Sequence, residues 1–490
     1  MSEPPHSLNE RMLINGVFCD GASGERIDVV NPATGDVVGT VPRAIGEDVQ
    51  FAVDAAASAR VSWAQTPPRE RGHALYKISE DIEAALEEIA RLLASETGNA
   101  IRTQSRPEVR SAIDLFRYYA GLGGEIKGQT LPINRDMLSW TWKEPLGIVA
   151  AVIPWNAPIA LAVAKIAPAM LTGNVVVLKP AEDAPLAVLR LAEICNRFLP
   201  KGVLNVITGY GSEAGAALAS HRNIDKITFT GSTEVGKLIL RDSSSRIVPV
   251  SLELGGKSPS IVFPDADTDW AADGVVTATR VTRQSQACVA GSRVFVHESI
   301  FKSFTKKLAS RLSAFKVGDP LDEETDIGSV INVKQFRRIN GFIRETQAIP
   351  GVQVLAGGLP ENHDDITSGF FMQPTLFTDI PLDARVAREE VFGPVICAIP
   401  WKTEEEVVRM ANDTEYGLAG FLWAGNPLNA LRLSREIEAG WLQINQAFAQ
   451  FPGQPFGGFK QSGIGREFSL EGMIESYTRT KNVTMSMQVT

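Results

Sequence analysis

The chain has 490 residues, of which 44% are hydrophobic and 21% charged, and its formal net charge is −9. That length is too great for one hydrophobic core, so we expect two or three structural units, and the balanced composition argues against a disordered chain. Without a long basic cluster or an apolar run that could span a bilayer, nucleic acid and membranes are not expected as partners.

The first third of the chain predicts helices over residues 46–64 and 67–98. In the second of these, apolar side chains recur at three- and four-residue steps, and Pro67 and Pro68 fit its first turn. Residues 138–145 alternate apolar and polar side chains, which is typical of a half-exposed strand.

From residue 147 onwards, short β-branched runs alternate with helical segments. The predicted strands are residues 147–153, 174–179, 204–208, 225–230 and 248–254. The helices between and after them are predicted at residues 158–171, 184–198, 212–220 and 232–241. This alternation indicates an α/β, doubly wound domain, in which a parallel sheet is covered on both faces and ligands bind at the carboxyl ends of the strands.

A second alternating region runs from about residue 260 to residue 444 and predicts another α/β unit. Its strands are expected to include residues 259–263, 292–297, 394–400 and 440–445. Residues 475–487 predict one more strand, which should pair with a distant segment or with another subunit.

The cysteines and histidines limit the possible chemistry. Cys19, Cys195, Cys288 and Cys397 lie far apart and form no CxxC pair, which argues against a disulfide framework or a zinc ribbon. No two of the five histidines lie within four residues of each other, so no metal site is predicted and histidine-based catalysis is disfavoured. Because no basic stretch is followed by an apolar one near residue 1, we expect no signal peptide and a cytoplasmic protein.

Two motifs at predicted strand ends suit a nucleotide, although each has a simpler interpretation. In KITFTGSTEVGK, Ser232 begins a helix whose free N–H groups could bind a pyrophosphate, and a plain strand–turn–helix is the alternative. In VVVLKPAE, Glu182 could accept hydrogen bonds from ribose hydroxyls, or it could be a solvated loop charge.

Three further motifs suit the chemistry of a carbonyl group. Glu253 lies between Leu252 and Leu254, so desolvation could raise its pKa and make it a general base, unless it faces the surface. Cys288 is either an inert buried thiol or a nucleophile that needs a nearby base, because an unperturbed thiol is only about 3% thiolate at pH 7. The amide of Asn156 could stabilise an oxyanion, or its segment PWNAP could simply form a turn.

The order of the motifs is more specific than any one of them. The sequence contains, in this order, IPWNAP, LKPAE, FTGSTEVG, LELGGKSP, the QxC segment, EEVFGP, NDTEYGLAG and PFGGFKQSGIGRE. Over nearly its whole length the chain therefore strongly resembles the NAD(P)-dependent aldehyde dehydrogenase superfamily. The resemblance implies a dinucleotide-binding domain (residues 1–125 and 146–255), a catalytic domain (256–453) and a small β oligomerisation unit (126–145 and 470–490).

The resemblance also implies catalytic roles. Cys288 corresponds to the nucleophile and Glu253 to the base that activates the hydrolytic water. Asn156, with the backbone N–H of Cys288, corresponds to the oxyanion hole. Lys165 and Glu467 match positions thought to carry protons to bulk water.

The implied cofactor is NAD, and NADP is disfavoured because the carboxylate of Glu182 should repel a 2′-phosphate. Lys179 and Glu182 match the ligands of the adenosine ribose, and Ser232 would contact the diphosphate. Glu390 would bind the nicotinamide ribose, with Phe392 beside the ring. Other positions expected to line the cofactor site are Ile153, Pro154, Trp155, Ala181, Gly211, Gly215, Phe229, Gly231, Val235, Leu254 and Gly255.

By the same resemblance, the helix predicted at residues 158–171 lines the passage for the aldehyde. The face toward the passage would carry Ala157, Leu161 and Ala164. The opposite wall would contain Phe448, Gln450 and Phe456. Because members acting on small aldehydes often carry aromatic side chains at the first and last positions of that face, alanine at both predicts a wide passage for a bulky neutral aldehyde, aromatic or long-chain. If neighbouring side chains fill the space, the size preference is ordinary.

One segment departs from the family pattern. Family members commonly read Asn-x-Gly-Gln-x-Cys before the nucleophile, whereas this chain has Arg283 and Ser285 in place of the asparagine and the glycine. These replacements leave the geometry of the nucleophile loop open.

The expected partners are a small-molecule aldehyde and further copies of the chain, in a homodimer or homotetramer. Three alternative functions remain open. A CoA-acylating aldehyde dehydrogenase is disfavoured because that class generally lacks the base matched by Glu253. A catalytically retired homologue, kept for binding or structure, is disfavoured by the intact Asn156, Glu253 and Cys288. A thiol hydrolase without nicotinamide would need a histidine partner for the thiol.

Overall fold

The computed structural model describes residues 8–359, 369–448 and 450–488. The rest of the predicted domain ranges, residues 1–7, 360–368, 449 and 489–490, lies outside the described residues. The α-helices are α1 (Gly46–Gln65), α2 (Pro68–Ala84), α3 (Leu86–Thr97), α4 (Arg106–Gly121), α5 (Pro158–Leu171), α6 (Leu186–Asn196), α7 (Ala216–Ser220), α8 (Thr233–Ser244), α9 (Asp269–Ala278), α10 (Phe301–Ser313), α11 (Val333–Gln347), α12 (Arg385–Arg388), α13 (Glu404–Asn412), α14 (Pro427–Ser434) and α15 (Leu470–Tyr477).

The strands are β1 (Leu8–Asn9), β2 (Met12–Ile14), β3 (Val17–Cys19), β4 (Arg26–Val30), β5 (Val37–Pro42), β6 (Thr130–Asn134), β7 (Met137–Pro145), β8 (Ile148–Val152), β9 (Val175–Lys179), β10 (Leu204–Val206), β11 (Lys226–Thr230), β12 (Val250–Glu253), β13 (Pro259–Val262), β14 (Arg293–His297), β15 (Gln353–Ala356), β16 (Thr375–Thr378), β17 (Val395–Trp401), β18 (Tyr416–Gly417), β19 (Ala419–Trp423), β20 (Trp441–Ile444), β21 (Phe459–Lys460), β22 (Gly463–Ile464) and β23 (Thr478–Ser486).

The largest sheet has the strand order β22-β12-β11-β8-β9-β10-β2-β3. Strands β8 to β12 pair in parallel, and numbered from β8 they run 3-2-1-4-5 across the sheet. The order therefore reverses between β8 and β11, and in sheets of this kind the ligand binds outside the carboxyl ends of the strands at that reversal. The predicted doubly wound α/β fold is confirmed.

The central strands of this sheet are buried on both faces. Every residue of β9 and of β11 is buried, as the continuous β-branched runs of their sequences predicted. Helices α1, α5, α6 and α8 pack against strands of this sheet. A ligand can therefore reach the sheet at the carboxyl ends of its strands.

A second sheet has the order β15-β16-β17-β14-β13-β19-β20 and is parallel except at β15. It contains all four strands predicted between residues 260 and 444. It also contains β15, β16 and β19, which were not predicted.

A third sheet, β23-β7-β6, joins the end of the chain to its first third. Strand β23 pairs antiparallel with β7 along its whole length, from Thr478 opposite Pro145 to Ser486 opposite Met137. The strand predicted at residues 475–487 therefore begins later than expected. Residues up to Tyr477 belong to α15 because Ser469 caps that helix and Met473 and Tyr477 bury one helical face.

The single helix predicted at residues 67–98 is wrong, since two helices, α2 and α3, occupy it. The chain bends at Ala85, where φ is −97° and ψ is 10°. Both helices pack against α4 and α6, and α2 also packs against α5. Neither glycine nor proline marks this position, so the apolar periodicity continues through it. In the described part of the chain, no helix combines the length and apolarity needed to cross a membrane.

Candidate active site

Cys288 lies on a loop with an unusual backbone. A short 3-10 turn over Val281–Arg283 is flanked by left-handed residues, with φ of +57° at Arg280, +50° at Gln284 and +49° at Ser285. Cys288 itself is half-buried and carries a free thiol. Burial raises the pKa of this thiol to about 12, and the carboxylates of Glu390 and Glu253 act in the same direction.

Asn156 contacts the same loop from the end of β8. Its side-chain Nδ2 donates a hydrogen bond to the backbone carbonyl of Gln286 at 2.8 Å, two residues before Cys288. An amide group has two N–H donors, so the second N–H remains available for an oxygen bound near the thiol. Asn156 is only 8% exposed, which shields this donor from bulk water.

The departure from the family pattern has a structural counterpart. The guanidinium of Arg283 donates from Nη1 to the backbone carbonyl of Asn156 at 3.0 Å and from Nε to Oε1 of Gln104 at 2.9 Å. It also lies 3.4 Å from Oε2 of Glu108. Sequence reasoning missed Gln104 and Glu108, because they lie about 180 residues before this loop and belong to no motif.

The carboxyl of Glu253, at the end of β12, is 4% exposed, and neither of its oxygens has a hydrogen-bond partner among the described residues. Burial raises its pKa well above the usual range; the charge of Glu467 adds to this and that of Lys165 opposes it. A methyl group added at Gly457 would lie 2.9 Å from Oε1, so the backbone there approaches the carboxyl closely.

A buried ion pair accompanies Glu253. Nζ of Lys165 lies 2.7 Å from Oε1 of Glu467, and neither side chain is more than 4% exposed. The hydroxyl of Thr228 lies 3.2 Å from that Nζ and 3.4 Å from that Oε1. Since Glu467 acts on the pKa of Glu253, the predicted proton carriers and the predicted base belong to one electrostatic unit.

The carboxyl ends of β9 and β11 supply features that fit a dinucleotide. Ser232 caps α8 by accepting the N–H of Val235 at 3.3 Å, so the first N–H groups of α8 lie at the edge of the sheet. A side chain at Gly231 would clash with the ring of Phe229, at 2.4 Å. The ammonium of Lys179 is buried 3.2 Å from Oε2 of Glu182; burial lowers its pKa and Glu182 opposes that effect.

Glu390 approaches the nucleophile loop from the second α/β unit. Its Oε1 accepts the N–H of Gly256 at 3.0 Å, and a side chain at Gly255 would come within 2.4 Å of its Oε2. Burial raises the pKa of Glu390 to about 7. The rings of Trp155 and Phe392 meet edge-to-face at 5.3 Å, which joins the end of β8 to the same unit.

The other predicted cofactor positions differ in exposure. Ile153 is buried and donates its N–H to the carbonyl of Lys179 at 3.1 Å. Pro154 and Ala181 are half-buried, and Leu254 is buried. Gly211, on the turn after β10, is exposed, and Val235 on α8 is 41% exposed. Gly215 is buried, and a methyl group there would touch the side chain of Lys179 at 3.9 Å.

The predicted walls of the aldehyde passage are also uneven. Ala157 and Leu161 are half-buried, whereas Ala164 is 1% exposed and belongs to the core. Gln450 is half-buried and Phe448 is 59% exposed. Phe456 is buried, with edge-to-face contacts at 5.7 Å to both Trp441 and Phe468.

Within residues 8–359, 369–448 and 450–488, the histidine, cysteine, aspartate and glutamate side chains form no group of three that could hold a metal ion.

Comparison with known proteins decides the family. Residues 18–483 match the model of the aldehyde dehydrogenase family. The chain belongs to this family. A hydroxyisobutyraldehyde dehydrogenase of Mycolicibacterium austroafricanum is 40% identical over 97% of this chain and 94% of its own. Aldehyde dehydrogenase 1 of Tanacetum cinerariifolium is 41% identical over the same shares of the two chains, 97% and 94%.

Solved structures of the family have the same fold. The NAD⁺ complex of an aldehyde dehydrogenase from Bacillus cereus superposes with a TM-score of 0.94 at 39% identity, over 98% of this chain and 97% of its own. A betaine aldehyde dehydrogenase from Staphylococcus aureus, in complex with NAD⁺, gives a TM-score of 0.94 at 35% identity over 99% and 96%. The prediction from the motif order is confirmed: the chain is an oxidoreductase that oxidises aldehydes.

Proposed function

We propose that the enzyme oxidises an aldehyde to the carboxylic acid through a thioester on Cys288, which water then hydrolyses. The observation that carries the proposal is that Asn156, which follows β8, and Glu253, which ends β12, both act on Cys288 or its loop. The Asn156 amide holds the loop of Cys288 at 2.8 Å, and the buried Glu253 acts electrostatically on the thiol.

The first half of the reaction is addition of the thiolate to the aldehyde carbon. The carbonyl oxygen gains negative charge in this step, and the free N–H of Asn156 with the backbone N–H of Cys288 would stabilise it. The former carbonyl carbon must then lose its hydrogen as hydride, which bound NAD⁺ would accept, and the thioester on Cys288 remains. Because the pKa of the resting thiol is about 12, the thiolate must form by transfer of its proton to a nearby base.

The second half is hydrolysis of the thioester. The carboxylate of Glu253 would take a proton from water, and the neighbouring pair of Lys165 and Glu467 would pass that proton on. Since the pKa of Glu253 is raised, its basic form is lost as the pH falls through that raised pKa. Thioester hydrolysis should therefore slow as the pH falls through the raised pKa of Glu253.

NAD is the proposed cofactor, in preference to NADP. The capped start of α8, the small Gly231 and the buried Lys179 fit a dinucleotide at the carboxyl edge of the sheet. Glu182, 3.2 Å from Lys179, would accept hydrogen bonds from ribose hydroxyls and repel a 2′-phosphate. The NAD⁺ complexes of the related enzymes support the binding of a nicotinamide dinucleotide.

The proposed substrate is a bulky neutral aldehyde, aromatic or long-chain. The half-buried Ala157 supports a wide passage, whereas the core residue Ala164 adds no support. The charge of Arg283 is already opposed by Glu108 at 3.4 Å. The related enzyme from Mycolicibacterium austroafricanum is named for hydroxyisobutyraldehyde, an uncharged branched aldehyde. Benzaldehyde should exceed acetaldehyde in kcat/KM by at least about tenfold, since each buried CH₂ contributes about 0.8 kcal/mol. A higher kcat/KM for acetaldehyde would contradict the wide passage.

A homodimer or homotetramer in the cytoplasm completes the proposal, with residues 126–145 and 470–490 as the oligomerisation unit. On the β23-β7-β6 sheet, Trp142 and Met137 are 49% and 43% exposed, and Met485 is 45% exposed. Large apolar side chains at such exposure favour a partner surface. The dinucleotide-binding and catalytic domains keep their proposed ranges, residues 1–125 with 146–255 and residues 256–453.

The proposal is tested by rapid mixing of enzyme, NAD⁺ and aldehyde, with and without CoA. Cys288→Ala should abolish NADH formation, whereas Cys19→Ala, the matched control, should retain most activity. Glu253→Gln should give a burst of NADH close to one per active site and then a slow steady rate, because only hydrolysis loses its base. A normal steady rate would remove Glu253 from its role. A steady rate that depends on CoA would favour the acylating alternative.

A further inference from the structure

The side chain of Arg283 connects the two parts of the proposed oxyanion hole. Nη1 donates to the backbone carbonyl of Asn156 at 3.0 Å, and the side chain of Asn156 donates back to the carbonyl of Gln286 at 2.8 Å. Residues 283–286 close the ring through the main chain. Asn156 is thus held to the nucleophile loop at both its backbone and its side chain.

The guanidinium is itself fixed by the segment before and within α4. Its Nε donates to Oε1 of Gln104 at 2.9 Å, and Gln104 donates from Nε2 to the hydroxyl of Thr282 at 2.7 Å. Gln104 lies in a π-helical turn, Ile101–Ser105, a conformation that is often found at functional sites.

Glu108 extends this arrangement to the helix that follows Asn156. Its Oε2 lies 3.4 Å from Nη1 of Arg283, and its Oε1 accepts the N–H of Ile159, in the first turn of α5, at 3.0 Å. The Glu108 side chain is 1% exposed, so this charge pair is little screened by solvent. The guanidinium of Arg283 and the carboxyl of Glu108 therefore together link α4, the start of α5 and the nucleophile loop.

The loop needs such support because of its backbone. Gln284 and Ser285 follow Arg283 with φ of +50° and +49°, a region that residues with a Cβ rarely adopt. Such conformations persist only where the surrounding contacts determine them. The side-chain bonds of Arg283 and the bond from Asn156 to Gln286 lie on the two sides of these residues.

We infer that Arg283 is a positioning residue: by holding the carbonyl of Asn156 it keeps the free N–H of the Asn156 amide aimed at the oxygen of an aldehyde bound to Cys288. The inference rests on the proposed function. Lysine could not replace it fully, because one ammonium cannot reproduce the planar fork that reaches Asn156 and Gln104 together. Arg283 acts through Asn156 and needs no contact with the substrate.

The test is a double-mutant cycle on the rate of the NADH burst. Arg283→Met should lower that rate by about 10- to 100-fold, the effect of a misplaced catalytic group, with the Kd for NAD⁺ unchanged. The burst rate of Arg283→Lys should lie between those of the wild type and Arg283→Met. In an Asn156→Ala background, Arg283→Met should lower the rate less than about threefold further, because the group that it positions is gone. Full multiplication of the two losses would overturn the inference, as would an unchanged rate in Arg283→Met.

Two controls separate positioning from folding. Arg283→Met leaves the buried Glu108 without its counter-charge, so Arg283→Met/Glu108→Gln removes both charges and should show the same loss in the cycle with a smaller loss of stability. Arg102→Met removes an exposed arginine of the π-helical turn that bonds to Glu323 and Thr325 carbonyls, and it should keep the wild-type rate.

Failure of the inference is distinguishable from failure of the proposed function. If Cys288→Ala or Asn156→Ala leaves the burst unchanged, the proposed chemistry itself is wrong. If both lower it and Arg283→Met multiplies with Asn156→Ala, only the positioning role is wrong.

Discussion

Alkylation of Cys288 by iodoacetamide should be slow at neutral pH and should accelerate about tenfold per pH unit. Burial, followed by the charges of Glu390 and Glu253, raises the pKa of this thiol to about 12. At pH 8 about one thiol in 10,000 is then ionised, whereas about a quarter of a free thiol of pKa about 8.5 is ionised. The difference in thiolate fraction is more than three decades.

The higher nucleophilicity of the Cys288 thiolate offsets part of this difference in thiolate fraction. A thiolate of higher pKa is the better nucleophile, and with a Brønsted coefficient of about 0.4–0.5 a rise of about 3.5 in pKa restores between one and two decades. The second-order rate constant for Cys288 at pH 8 should therefore lie between about 40- and 100-fold below that of free cysteine.

The assay is a pulse of iodoacetamide at each pH from 7 to 10, followed by mass spectrometry of the peptide that contains Cys288. Glu390→Gln removes a negative neighbour and should raise the rate at every pH, because the pKa of the thiol falls. A plateau below about pH 9, or a rate equal to that of free cysteine at pH 7, would refute the reasoning, since the resting thiol would then ionise readily.

Three further predictions concern stability, cofactor choice and substrate size. Ser285→Ala should raise the free energy of unfolding by about 1–3 kcal/mol, measured with urea, because its buried hydroxyl has no partner among the described residues. Ser285→Gly should stabilise at least as much, since it also removes a Cβ at a φ of +49°; destabilisation by both would contradict this. Glu182→Gln should raise the ratio of kcat/KM with NADP to kcat/KM with NAD by up to about a hundredfold, because it removes a repulsion of about 3 kcal/mol between the carboxylate and the 2′-phosphate. An unchanged ratio would show that Glu182 does not determine the cofactor preference. Ala157→Phe should reverse the preference for benzaldehyde over acetaldehyde, and a ratio of kcat/KM values that stays above one would show that Ala157 does not line the passage.

The parts of the fold that were predictable have a strong local period or a clear terminal signal. Helix α5 occupies the predicted residues 158–171, since Pro158 starts it and apolar side chains continue through it. Strands β8 to β12 were recognisable because buried parallel strands are short runs rich in β-branched residues. The bend at Ala85 has no such signal, because neither glycine nor proline marks it and the apolar periodicity continues through it.

The candidate site was predictable where a residue lies in a motif at a strand end. Asn156 and Glu253 follow or end buried strands, which is enough to locate them at the carboxyl edge of a sheet. The contacts of Arg283 could not be predicted from the sequence, since only the tertiary fold brings Gln104 and Glu108 next to it. The left-handed backbone at Ser285 could not be predicted either, because a serine in a sequence does not indicate a positive φ as a glycine does.

The pairing of β22 with β12 has a consequence for biosynthesis. Gly463 lies opposite Glu253, so the edge of the large sheet is completed by residues that are synthesised 210 positions later. At about 5–20 residues per second, the ribosome takes about 10–40 s to deliver them. During that interval the nascent chain has β12 as an open edge, the kind of surface on which strands of other chains add. The strand that carries Glu253 therefore lacks its neighbour until residues 463 and 464 are made, and a chain released earlier from the ribosome is exposed to aggregation at this strand.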